Sequence, residues 1–172
     1  LRTTDFNSGY AGEFRYVNKS AYEFLSKSSL DGTEVVISNV GDVGTVFRPP
    51  TWLGLPMTLG SNAVALKSRG HSAFMYLYFS GSKGQHDIQS IVTGSAQLKF
   101  NKTNFRSLLI ALPEAEVLRR FESIASALLS TIDNNLASTQ TLATLRDTML
   151  PRLISGQLRL PEFEAQVPEA DA

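Results

Sequence analysis

Nine side chains between positions 67 and 102 have the chemistry to read a polyanion: Lys67, Arg69, Lys83, Gln85, His86, Gln89, Lys99, Asn101 and Lys102. Ammonium groups neutralise phosphates whatever the sequence, whereas guanidinium and amide groups match the paired donors and acceptors on base edges. On that division Arg69, Gln85 and Gln89 are candidates for base edges. Lys67, Lys83, Lys99 and Lys102 are candidates for phosphates, and His86 and Asn101 complete the set. Lys67–Arg69 and Lys83–Gln89 read as loops, and Asn104 and Arg106 extend the last cluster.

No pattern for covalent or metal chemistry accompanies them. The chain has no cysteine, so it has no disulfide framework and no thiolate zinc site. Its two histidines, His71 and His86, are not at metal-ligand spacing and read as exposed loop residues. A nucleophile elbow, a His-Glu-x-x-His helix and a phosphate loop are all missing. Gly41-Asp42-Val43-Gly44 lacks the third glycine and the following helix of a dinucleotide turn. Arg48-Pro49-Pro50-Thr51 lacks the flanking acid or amide and the aromatic of an amino-methyltransferase motif. The expectation is a binding protein, not an enzyme, with no metal and no cofactor of its own. With no apolar run of membrane length and no signal peptide, a cytoplasmic location is the default.

Charge is divided along the chain. Formal net charge is zero, with residues 1–112 at +4 and residues 113–172 at −4. A basic globular part joined to an acidic helix and tail hints at nucleic-acid contact by the first part. The globular part reads as α+β. Residues 1–16 are glycine-broken, with Phe6, Tyr10, Phe14 and Tyr16 as anchors of short strands or a loop. Ser20 to Ser28 reads as a short helix capped by Ser20, with Glu23 at capping-box spacing. Thr33 to Ser38 is a β-branched strand, and Thr45 to Arg48 is its hairpin partner, stopped by Pro49-Pro50. Trp52 reads as a half-buried loop aromatic. Ala63 to Lys67 is a further strand, Ser72 to Phe79 is ambiguous by period, and Ser80 to Gly84 reads as a flexible loop.

What must position the loops is one long element. Pro113 fits a helix first turn, Glu114 and Glu116 suit the positive end of its dipole, and Gly156 fits its C-terminal cap. Glu114 to Leu150 is 37 residues with no Gly or Pro, a rod of roughly 55 Å. Leu118, Phe121, Ala125, Leu128 and Ile132 step by 3 and 4, the spacing of a coiled-coil seam. Asn135 and Thr139 are the next seam positions, and Leu142 and Met149 return to apolar. Ile124, Leu129, Leu136 and Leu145 widen the stripe enough to touch two neighbours. Asn135 on a seam costs stability and fixes register.

Several blocks, in order, resemble the specificity subunit of a Type I restriction-modification system. Asp31-Gly32-Thr33-Glu34-Val35-Val36-Ile37-Ser38 with Val40-Gly41-Asp42-Val43-Gly44-Thr45-Val46 is similar to that family's strand and glycine hairpin. Gly94-Ser95-Ala96-Gln97 with Asn101-Lys102, and Leu108-Leu109-Ile110-Ala111-Leu112-Pro113, resemble the stretch that launches its spacer helix. Leu145 to Arg159, through Met149-Leu150-Pro151-Arg152, is similar to the end of that helix and is the most specific block. Ala115-Glu116-Val117-Leu118 departs from the family, which carries a Glu-Gln pair there. The family has two recognition domains and two spacer helices, and one of each is present here. The chain opens at Leu1 in what reads as domain interior, so the domain's first segment is expected to be missing.

The resemblance implies a target-recognition domain at 1–112, a spacer helix at 113–156 and a tail at 157–172. It implies a non-catalytic subunit that reads half of a split double-stranded DNA target. It also implies a scaffold for a methyltransferase subunit, which carries S-adenosylmethionine, and for a nuclease and translocase subunit. A half-length chain is expected to form a homodimer through Leu118, Phe121, Ala125, Leu128, Ile132, Asn135, Leu142 and Met149. The alternatives are a coiled-coil module binding protein only, and a remnant without function.

Overall fold

The computed structural model describes residues 1–157. Arg159 of the most specific block, and the tail beyond Gln157, lie outside the described residues. The chain forms two compact units, Leu1–Asp133 and Asn134 onward. The division falls inside the long helix.

The first unit is α+β, built on a three-stranded antiparallel sheet. Strand β2 (Val35–Ser38) lies between β3 (Val46–Phe47) and β5 (Ala63–Leu66). All four residues of β2 are buried, as its β-branched run predicts. The register Val35↔Leu66, Ile37↔Val64 and Val36↔Phe47 sorts the side chains onto two faces. Val35, Ile37 and Val64 pack with Phe79, Ile88 and Phe100, which belong to helices α3 (Ser72–Ser80) and α4 (Ser82–Ser90) and the segment before α5 (Lys102–Arg106). Val36, Phe47 and Ala63 face the opposite way, onto Leu30 and Leu59. There α1 (Thr3–Asn7) lays Phe6 flat on Phe47 with ring centres 4.8 Å apart. A small second sheet pairs β1 (Ser29–Leu30) with β4 (Met57–Thr58). Helix α2 (Lys19–Phe24) precedes it, and Trp52 sits half-buried in a 3-10 turn, edge-on to Tyr10.

Several local expectations change. Residues 1–16 begin with a helix, not strands. The cap of α2 is Asn18, whose side chain accepts from the Ala21 N–H, so Ser20 lies inside the first turn. The ambiguous stretch from Ser72 is a helix, and His71 is its half-buried N-cap residue, not an exposed loop histidine. Ser80 to Gly84 is not a loop. Gly81 ends α3 and begins α4, and a Cβ on Gly84 would lie 2.2 Å from the Tyr78 carbonyl oxygen. Only a residue without a side chain lets the two helices approach so closely, and the glycine that reads as flexible is buried packing.

Helix α6 runs from Ala115 to Ile154. Leu118 N–H donates to the Glu114 carbonyl, so Glu114 is the N-cap and Pro113 stands before it. Gly156, at φ +72°, closes the far end as expected. Within the first unit, Leu118, Ala125 and Leu129 are buried, and the last two pack on Ala73 and Tyr76 of α3. Phe121 meets Phe74 edge-on. Leu118, Phe121 and Ala125 were expected on a partner-facing seam. Leu118 and Ala125 are buried within the first unit, whereas Phe121 touches Phe74 and stays 40% exposed.

Candidate nucleic-acid interface

Two polar connections anchor that half of α6. The Glu122 carboxylate accepts from the backbone N–H of Ala73 at 2.7 Å and of Phe74 at 3.0 Å, so it caps α3 from another element. Orphan amides at a helix start are thereby satisfied by a charge of the sign the dipole favours. The Arg48 guanidinium bridges the Asp133 carboxylate and the Leu129 carbonyl, and lies 5.5 Å from the centre of the Tyr76 ring. Sequence reasoning assigned no role to Arg48, Glu122 or Asp133. The one available signal was Glu122, a charge set between the apolar positions Phe121 and Ala125.

The strand register then places some of the candidate residues at two ends of the sheet. One end holds the β2–β3 turn. Gly41 N–H donates to the Leu98 carbonyl, and Val40 bridges Lys99. Asp42 accepts from the Thr45 hydroxyl at 2.7 Å and from Asn7 at 2.9 Å, bonds that hold its carboxyl below the ordinary aspartate range. Gln89 also belongs to this end, its amide nitrogen 3.7 Å from where a Cβ on Gly44 would stand. The opposite end holds the loop before β2 and the loop from Lys67 to His71. Asp31 turns the first loop by accepting from the N–H and hydroxyl of Thr33, and these bonds lower its pKa. Arg69 projects from the second loop, exposed and in the left-handed region at φ +47°. The structure therefore does not gather the candidates into one patch.

Side-chain partners sort them further. Gln85 is not a free reader, since its amide donates to the Gly44 carbonyl at 2.9 Å and the Phe79 carbonyl at 2.6 Å, pinning the hairpin to α4. Asn101 caps α5 by accepting from Asn104 N–H at 2.7 Å. Lys67 reaches the buried Glu34 at 3.3 Å, and Glu34 accepts in turn from Asp31 and Gly32 N–H. Lys83, His86 and Gln89 lie on α4 and not on a loop. Lys83 pairs with Asp87, which also accepts from the Tyr78 hydroxyl. Those bonds lower the Asp87 pKa and push the Tyr78 hydroxyl up to about 12. Arg69, His86, Gln89, Lys99 and Lys102 are exposed and make no side-chain bond to another described residue. Among the described residues no group of three or more His, Asp or Glu side chains is placed to hold a metal ion, and no helix is long and apolar enough to cross a membrane.

Among the candidates, then, the cations Arg69, Lys99 and Lys102, the amide of Gln89 and the His86 ring stand exposed with no side-chain bond to a described residue. No curated protein matches the sequence significantly. The family model for the type I restriction modification DNA specificity domain matches residues 2–145, from the start of α1 into the second unit's part of α6. With the greater part of its length so matched, the chain belongs to the type I restriction-modification DNA specificity family.

Proposed function

We propose that this chain reads one half of a split double-stranded DNA target with its single domain and joins a second copy of itself through α6. A methyltransferase subunit and a nuclease and translocase subunit dock on that scaffold, and S-adenosylmethionine stays with the methyltransferase. The chain itself is non-catalytic and acts in the cytoplasm.

The observation that carries this reading is the unequal fate of the helix's apolar positions. Leu118, Ala125 and Leu129 are covered, whereas Ile124, Leu128 and Ile132 are exposed in the first unit. Leu136, Leu142, Leu145 and Met149 are exposed in the second. A helix apolar on a second side, over so many turns, is stable in water when another helix covers that side. Light scattering of the full chain is expected to give a dimer, and Leu128→Glu with Ile132→Glu is expected to give a folded monomer. A wild-type chain that stays monomeric at high concentration defeats the homodimer.

Arg69 is the base reader this reading favours. It has no internal partner, and its left-handed backbone holds the side chain at a fixed loop tip. Arg69→Ala is expected to lower affinity for the cognate half-site by about 1–3 kcal/mol and leave random DNA unchanged. Fluorescence anisotropy on both duplexes checks it, and an equal loss on both removes Arg69 from base reading.

A further inference from the structure

A groove of about 900 Å³ runs along β5, within the first unit and apart from both loop ends. Its lining holds Arg2, Arg15, Lys27, Lys102 and Arg106, and no Asp or Glu. Arg2 is neutralised by Asp5. The other four are exposed and make no ion pair with a described residue. Between them the walls are apolar, formed by Leu66, Met75, Phe105, Leu108 and Ile110, all only partly buried.

The bed of the groove is an open sheet edge. Among the described strands β5 has a partner on one side only. Asn39 N–H donates to the Asn62 carbonyl and Ser38 N–H to the Thr45 carbonyl, so Ile37 faces β5 and Ser38 faces β3. By the same alternation Val64 and Leu66 bond to β2, and Ala63 and Ala65 turn their N–H and C=O groups outward. Edge strands are normally blunted by a charge, a proline or a bulge. Ala63-Val64-Ala65-Leu66 has no charge and no proline.

We propose that this groove binds an extended segment of another polypeptide in which acidic residues alternate with apolar ones, added as a strand antiparallel or parallel to β5. Side chains on an added strand alternate between two faces. The apolar set meets Leu66, Met75 and Phe105, and the carboxylates meet Arg15, Lys27, Lys102 and Arg106. Main-chain bonds at Ala63 and Ala65 supply affinity that no side chain need specify. A DNA backbone fits the four cations but leaves the apolar walls and the open edge unmatched, so the peptide is favoured.

The probe is a fluorescein-labelled synthetic peptide alternating Glu with Val or Phe, titrated into the full chain by anisotropy. Saturable, salt-sensitive binding is expected, and the same peptide with Lys for Glu should not bind. Lys102→Glu with Arg106→Glu should weaken binding roughly tenfold or more. Ala65→Pro should weaken it similarly with the circular dichroism spectrum unchanged, because the N–H it removes points away from β2. If that variant misfolds, the charge reversals decide. Absence of binding, equal binding of the Lys peptide, or unaltered affinity in folded Ala65→Pro overturns the proposal. So does a random duplex that displaces the peptide and loses affinity with the same charge reversals, which makes the groove a nucleic-acid site. Cognate binding by the Arg69 loop stands or falls separately.

Discussion

Gly84→Ala is expected to destabilise the first unit by about 3 kcal/mol or more, against the direction of helix propensity. Gly84 lies in α4, at an ordinary φ, and there alanine is intrinsically better than glycine by about 1 kcal/mol. Opposing this is contact. The added Cβ would stand 2.2 Å from the Tyr78 carbonyl oxygen and 2.6 Å from the Phe79 Cα. Both are backbone atoms at the end of α3, and neither can rotate aside as a side chain would. Relief requires α3 and α4 to separate, which lifts Phe79 and Ile88 from the core they share with Ile37. Overpacking of a dense interior costs about 1–3 kcal/mol, more where backbone must move. The midpoint of urea unfolding gives the sign at once, and a raised midpoint would mean that the two helices are not so close.

Arg48→Ala is expected to cost about 2–3 kcal/mol and to loosen the first half of α6 from its domain. Removing the guanidinium leaves the Asp133 carboxylate and the Leu129 carbonyl without their partner, and uncovers the Tyr76 ring. A fully buried pair broken on one side would cost about 3–5 kcal/mol; here both side chains retain about a fifth of their exposure, 19% and 21%, which lowers the figure. For a chain of this size the melting temperature should drop by roughly 4–12 °C. A double-mutant cycle with Asp133→Ala isolates the pair, and additive losses would show that Arg48 acts through Tyr76 or the carbonyl and not through the charge.

Both predictions rest on features that the sequence discloses unevenly. The β2 strand and α6 were legible because each is long or strongly patterned for its type: Val35-Val36-Ile37 is β-branched, and 37 residues free of Gly and Pro admit little but helix. Helix α4 was hidden by Ser82 and Gly84, whose local composition is that of a loop. The reason for glycine there is an approach by α3 that no local window contains. The family blocks marked the strand and glycine hairpin and the launch of the helix. They did not separate Gln85, which holds a backbone hairpin, from Gln89, which holds nothing described, since an amide has one composition in either role. Arg48 was missed because its partner lies 85 residues away. The apolar period of α6 does not say which positions lie against the domain: whether Leu118 and Ala125 face a partner or their own domain depends on where α3 lies, and α3 itself was ambiguous.

The hydroxyls along α6 carry one more consequence. Thr131, Ser138, Thr139, Thr141, Thr144 and Thr148 each donate to the carbonyl four residues back. On the proposed seam the polar positions are Asn135, Thr139 and Arg146; the Thr139 donor is already engaged and Arg146 pairs with Asp147, leaving the Asn135 amide as the polar side chain there with no bond to a described residue. In an antiparallel pair, a slip of one heptad displaces the two copies by about 10 Å. Along B-form DNA at 3.4 Å per step that is about three base pairs. The number of untouched bases between two half-sites would then be gauged by a single asparagine, and a chain with leucine at 135 would tolerate gaps of more than one length.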